Sequence, residues 1–215
     1  MDPFSIRIPG STSNLGAGFD TLGLALAIYL DLTVEPASGD DAGTLHLTGE
    51  GESSSPFGAD NLIHTAYRFA AAEEGVTAPS VRFNAHNDIP FERGLGSSAA
   101  AIVAGIVAFS IASGSGLSDD RIIELGTAME GHGDNAGPST IGGLITCCQR
   151  QAAPPLVVRT DWPGEIRAVV AIPELPIPTA EARAILPTSV SRADAIFNVQ
   201  RAAIFHAALA AGEWE

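Results

Sequence analysis

The stretch SSAAAIVAGIVAFS, residues 97–110, is apolar around its whole circumference if it is helical. A helix of that kind cannot lie on a surface; it must be covered on every side. The chain therefore has to wrap further elements around it. Its 215 residues, 46% of them hydrophobic, are long and apolar enough to build such a core and to exclude disorder.

The covering elements are legible as short periodic segments. Strands are expected at 5–8 (ending at Pro9), 32–34, 44–48, 80–85, 144–148 and 166–172, and Leu22–Leu30 is an apolar run. In the fourth of these strands Val81, Phe83 and Ala85 share one face. Leu62, Ile63, Ala66, Phe69 and Ala70 mark a helix over 60–74, with Asp60 as its cap. Ser118 caps another, whose first turn carries Asp119 and Asp120. A short helix is expected around 180–186 and a long alanine-rich one over 191–211, with QAAPP at 151–155 as the linker between two units. Strands and helices do not alternate strictly, so the class is mixed α and β rather than a doubly wound parallel sheet.

The formal net charge of −14 excludes a nucleic-acid surface, which needs a basic stripe. Any bound polyanion must be held by local features against a repelling field. Cys147 and Cys148 are adjacent, a spacing that does not suit a relaxed disulfide, and they read as small apolar residues in a strand. No signal peptide and no apolar run of membrane-spanning length stand out, so a cytoplasmic protein without a membrane partner is expected.

Three segments carry chemistry. In PGSTSNLGAGFD, residues 9–20, Gly16 and Gly18 admit a close ligand among short polar side chains; the same composition also suits a solvated loop. In ERGLGSSAAA, residues 92–101, a Gly-x-Gly turn leads into the apolar helix. Free N–H groups in a helix's first turn, with its dipole, make an anion site, although the lysine of the ordinary P-loop is missing. In EGHGDNAGPSTIGG, residues 130–143, Asp134 lies in an apolar neighbourhood and needs a partner unless it caps a helix. Arg183, in a chain with only 11 Lys and Arg, falls in a fourth stretch, TAEARAILP.

These four motifs, in this order, resemble the GHMP kinase superfamily and, within it, the homoserine kinases. The resemblance runs from Ser5 to Glu215. It implies an α+β architecture: a ribosomal-S5-domain-2-like N-terminal domain at 1–153, followed by an incomplete ferredoxin-like C-terminal domain at 154–215. It implies ATP- and Mg²⁺-dependent phosphorylation of the hydroxyl of L-homoserine, on the route to threonine. Arg93, Gly94, Leu95, Gly96, Ser97, Ser98 and Ala99 would cradle the ATP phosphates. Ser98 and Glu124 would hold the metal. Asn14, Asp20, His132, Asp134, Thr179 and Arg183 would line the amino-acid pocket, with Asp20 and Asn14 nearest the chemistry.

A carboxylate suits the ammonium of a zwitterion, and the arginine fork suits its carboxylate. The superfamily's late Gly-x-Gly-Pro loop and a later substrate arginine have no counterpart before the final AAGEWE, and Gly133 stands where the family usually has proline. The expectation is therefore a fragment, a truncated product, or a chain completed by association, such as a homodimer. A kinase for another small alcohol and a non-catalytic binding module are the alternatives.

Overall fold

The structure, a computed structural model, describes residues 1–52, 61–174 and 179–213. Its centre is one long strand. β1 (Phe4–Asn14) and β2 (Gly18–Pro36) form an antiparallel hairpin, and β2 runs for 19 residues. On its other edge β2 serves two neighbours in turn. Residues 30–36 pair with β4 (Val81–Asn87), and residues 22–24 pair with β5 (Leu144–Arg150). β3 (Leu45–Gly49) lies parallel to β4, and β6 (Ala153–Thr160) closes the far side against β5. The order is β3-β4-β2-β5-β6, with β1 on β2.

The parallel pair β3 and β4 requires a crossover, and α1 (Leu62–Glu73) supplies it. α2 (Ser97–Ser113) packs against α1, α3 (Asp119–Glu130), α4 (Ala136–Ile141), β1 and β2. The core forms where these helices meet the sheet. Tyr67 stands edge-on to both Phe83 and Phe109, with ring centroids 5.7 and 5.8 Å away, and its hydroxyl donates to the Pro79 carbonyl. Val81, Phe83 and Ala85 point into this core as their alternation requires. Beyond β6 come α5 (Thr179–Ala184) and α6 (Arg192–Ala211), capped by Ser191. No helix among the described residues is long and apolar enough to cross a membrane.

The α+β class holds, but several local expectations change. The strand expected to stop at Pro9 continues to Asn14, because a register shift between Pro9 and Ser11 absorbs the missing proline N–H. The polar Gly/Ser/Asn stretch is thus mostly paired backbone, and the apolar run 22–30 merges with 32–34 into β2. The QAAPP linker is a hairpin: Arg150 pairs with Ala153, so residues 151–155 turn the chain back into the same sheet. Residues 166–172 form no strand. Asp60 lies outside the described residues, and the cap of α1 is Asn61, whose Oδ1 accepts the His64 N–H at 2.8 Å.

Candidate active site

The register shift at Pro9 places the first piece of the site. Freed from the ladder, the Ser11 N–H donates to the Leu95 carbonyl at 3.0 Å, and its hydroxyl donates to Asn135 Oδ1 at 2.9 Å. One fully buried serine thus ties the hairpin, the glycine turn and the His-x-Asp-Asn segment together. The approach is close enough to require glycine. A Cβ on Gly96, which sits at φ 69°, would fall 2.2 Å from Ser11 Oγ, and one on Gly23 would fall 1.6 Å from the Asp134 carbonyl oxygen.

The hairpin tip is strained. Asn14, Leu15 and Asp20 all have positive φ, a conformation that non-glycine residues rarely hold and that costs on the order of 1–3 kcal/mol each. Asn14 Oδ1 accepts the Asp20 N–H at 2.9 Å and so fixes where the Asp20 carboxylate stands.

At the glycine turn, Gly96 precedes α2 without any side-chain cap, so no side chain of the capping residue occupies the N–H groups of Ser97, Ser98 and Ala99. Ala99 and Leu95 are buried beneath, while Ser98 is exposed. Arg93 flanks the turn. Its Nη1 donates to the Pro173 carbonyl at 2.5 Å, and its Nε is buried without a partner among the described residues.

The Ser98 side chain lies beside the carboxyl of Glu130, the last residue of α3. Burial pushes this carboxyl up to about 7, against the pull of nearby His132 and of Ser98, and its Oε2 is buried without a partner among the described residues. An orphaned carboxylate oxygen beside a hydroxyl is a donor set that a hard cation such as Mg²⁺ would satisfy. Glu124, expected in that role, is engaged in an ion pair. It accepts from Arg121 Nη1 at 2.7 Å, and Arg121 also holds Glu74. Helical geometry separates the two carboxylates. Glu130 lies four and eight residues beyond Gly126 and Ile122 on the buried face of α3, whereas Glu124 is on the flank. That spacing was the available signal for Glu130.

The third piece is an ionic cluster. Asp134, 1% exposed, does not cap α4; Asn135 precedes that helix. Asp134 Oδ1 instead meets His132 Nδ1 at 2.6 Å, and this hydrogen bond raises the histidine pKa. Asp20, His132 and Asp134 bring their ligating atoms within 4.8 Å of one another. Arg183, from α5, closes over them. Its two terminal nitrogens fork the Asp20 carboxylate at 2.5 and 3.1 Å, across 163 residues of sequence. Thr179 opens α5 one turn earlier and is exposed. The structure therefore gathers the hairpin, His132, Asp134 and Arg183 at one place. It puts Ser97 and Ser98 at the start of α2, and Glu124 in an ion pair with Arg121. Ser11 and Glu130 are the additions that sequence reading missed.

A lysine-free glycine turn feeding a buried helix, with a carboxylate and a serine beside it, defines a GHMP-type small-molecule kinase. The GHMP kinases N terminal domain family matches residues 61–143. The chain is 39% identical over 208 residues to the homoserine kinase of Moorella thermoacetica, covering 97% of this chain and 69% of that one. It is 38% identical over 215 residues to a homoserine kinase of Thermus thermophilus, covering 100% of this chain and 70% of that one. A crystal structure of homoserine kinase from Cytophaga hutchinsonii shares the fold at 22% identity, with a TM-score of 0.80 over 99% of this chain and 69% of that one. The chain belongs to the homoserine kinase family.

Proposed function

We infer that the chain transfers the γ-phosphoryl group of ATP to the hydroxyl of L-homoserine. The hydroxyl oxygen forms a new bond to phosphorus, the bond to the departing ADP breaks, the hydroxyl proton is lost, and O-phospho-L-homoserine results. Phosphoryl transfer through a loose transition state asks for positioning and charge stabilisation more than for covalent help. The N–H groups of Ser97, Ser98 and Ala99, with Arg93 beside them, cradle the phosphates. Ser98 and Glu130 would hold Mg²⁺, which would supply positive charge against the phosphoryl oxygens. Asp20 takes the ammonium of the amino acid and Arg183 its carboxylate, with His132, Asp134 and Thr179 around them. Asn14 positions Asp20. In this reading the first unit ends after β6 rather than at residue 153, because β6 completes the sheet.

The observation that carries this reading is the Asp20–Arg183 pair: one anion and one cation, as a zwitterion requires, at the tip of the hairpin that Ser11 ties to the phosphate turn. The test is ATP-dependent turnover across a panel of L-homoserine, mevalonate, shikimate and a hexose. Turnover of homoserine above the rest is expected; preference for an uncharged or anionic alcohol would sink the reading. Glu130→Ala is expected to lower kcat about 100-fold or more, consistent with loss of several kcal/mol of metal stabilisation. Glu124→Ala is expected to stay within about twofold, since only a partly exposed ion pair is lost. The reverse ranking would return the metal to Glu124.

A further inference from the structure

Phe19 is a large apolar side chain that the fold leaves out of its core. It stands at the hairpin tip, 48% exposed, immediately before Asp20. Its ring is not idle. The Arg183 guanidinium lies over it, 5.3 Å from the centroid, while the same guanidinium forks the Asp20 carboxylate. A guanidinium held over an aromatic ring can still offer its N–H groups to either of two acceptors, which is what a planar cation on an aromatic platform does well.

We propose that Phe19 is the positioning residue of the amino-acid subsite. Its ring carries Arg183, whose N–H edge pairs with Asp20 when the subsite is empty and with the carboxylate of the amino acid when it is filled. The subsite then rests in a self-neutralised state. An entering zwitterion exchanges one ion pair for two: ammonium on Asp20 and carboxylate on Arg183. A ligand bearing only one of these charges breaks the resting pair and leaves one partner uncompensated, so the two charges of the substrate act together rather than additively. The backbone of the tip is set independently by the Asn14–Asp20 hydrogen bond and by β-pairing, so the ring acts through Arg183. The proposal rests on the reading of the site as one for homoserine.

The test is a double-substitution cycle in the full chain with Phe19→Leu, Phe19→Trp and Arg183→Ala, read as KM for L-homoserine and for ATP separately. Phe19→Leu is expected to raise the KM for homoserine about threefold, the scale of an exposed cation–π contact. The KM for ATP should not move, and Phe19→Trp should restore the wild-type value. In the Arg183→Ala background Phe19→Leu should change nothing further. An unchanged homoserine KM, an equal effect in the Arg183→Ala background, or an equal effect on the ATP KM would overturn the proposal while leaving homoserine as substrate. A wild-type chain that does not phosphorylate homoserine would overturn the functional reading and this proposal with it.

Discussion

α2 and α6 are both long, alanine-rich and mostly apolar, yet they lie at opposite extremes of burial. Ten residues of α2 are buried, among them Phe109 and Ile106, and the sheet and three helices surround it. α6 has no buried residue; Val199 is 68% and Ile204 62% exposed, and the helix touches the sheet through a 2.6 Å hydrogen bond between His206 and Thr146. Composition accounts for part of this: α2 carries no charged residue, whereas α6 carries Arg192, Asp194 and Arg201. The rest of the difference is in what the chain brings alongside. α2 begins at the glycine turn that Ser11 ties to the hairpin, and packing follows from that anchor.

That contrast can be broken or sharpened by substitution. The largest effect is expected for Phe109→Ala, which empties an aromatic site at the centre of the core and should cost about 3–5 kcal/mol in chemical denaturation. A loss below about 1 kcal/mol would mean that the core around α2 is loosely packed.

An intermediate effect is expected for Glu130→Gln, beside the start of α2. Burial raises the Glu130 pKa from 4.5 to about 7, so the folded chain holds that proton more tightly than the unfolded chain does. The resulting stability is complete below pH 4.5 and is lost as pH rises through about 7. His132, raised above 6.5 by Asp134, adds a loss in the same direction above that pH. Without divalent cation, Glu130→Gln should remove the Glu130 part of the fall and, by taking away one cause of the raised histidine pKa, lessen the His132 part. It should be more stable than wild type at pH 8 by roughly 1–3 kcal/mol. A profile that parallels wild type would show that the carboxyl is not desolvated.

The smallest effect is expected for Ile204→Ser on α6, within about 0.5 kcal/mol, since an exposed side chain loses little on truncation. A cost above about 2 kcal/mol would show that α6 is covered in solution.

Local features were legible before the fold was known. Ser118 caps α3 as its position suggests, the alternation of Val81, Phe83 and Ala85 put them inward, and the apolar segment after the glycine turn is the buried helix. The failures share one cause. The Gly/Ser/Asn stretch looks like a loop because its residues favour turns, but pairing along β2 holds it extended to Asn14. QAAPP looks like a linker for the same reason, and the β5 edge recruits it into a hairpin. Glu124 and Glu130 are both helix glutamates; only the packing of α3 decides that the second meets Ser98.

What the sequence determined on its own was chemistry of neighbours in the chain: a glycine turn at a helix start, a polar hairpin tip, a histidine two residues from a buried aspartate. These depend on φ/ψ preferences and side-chain periodicity, which a few adjacent residues set. What only the tertiary structure decided was which distant groups meet. Ser11 reaches Asn135 across 124 residues and Asp20 reaches Arg183 across 163. Those meetings depend on strand register and helix rotation, and both are set by the whole core at once.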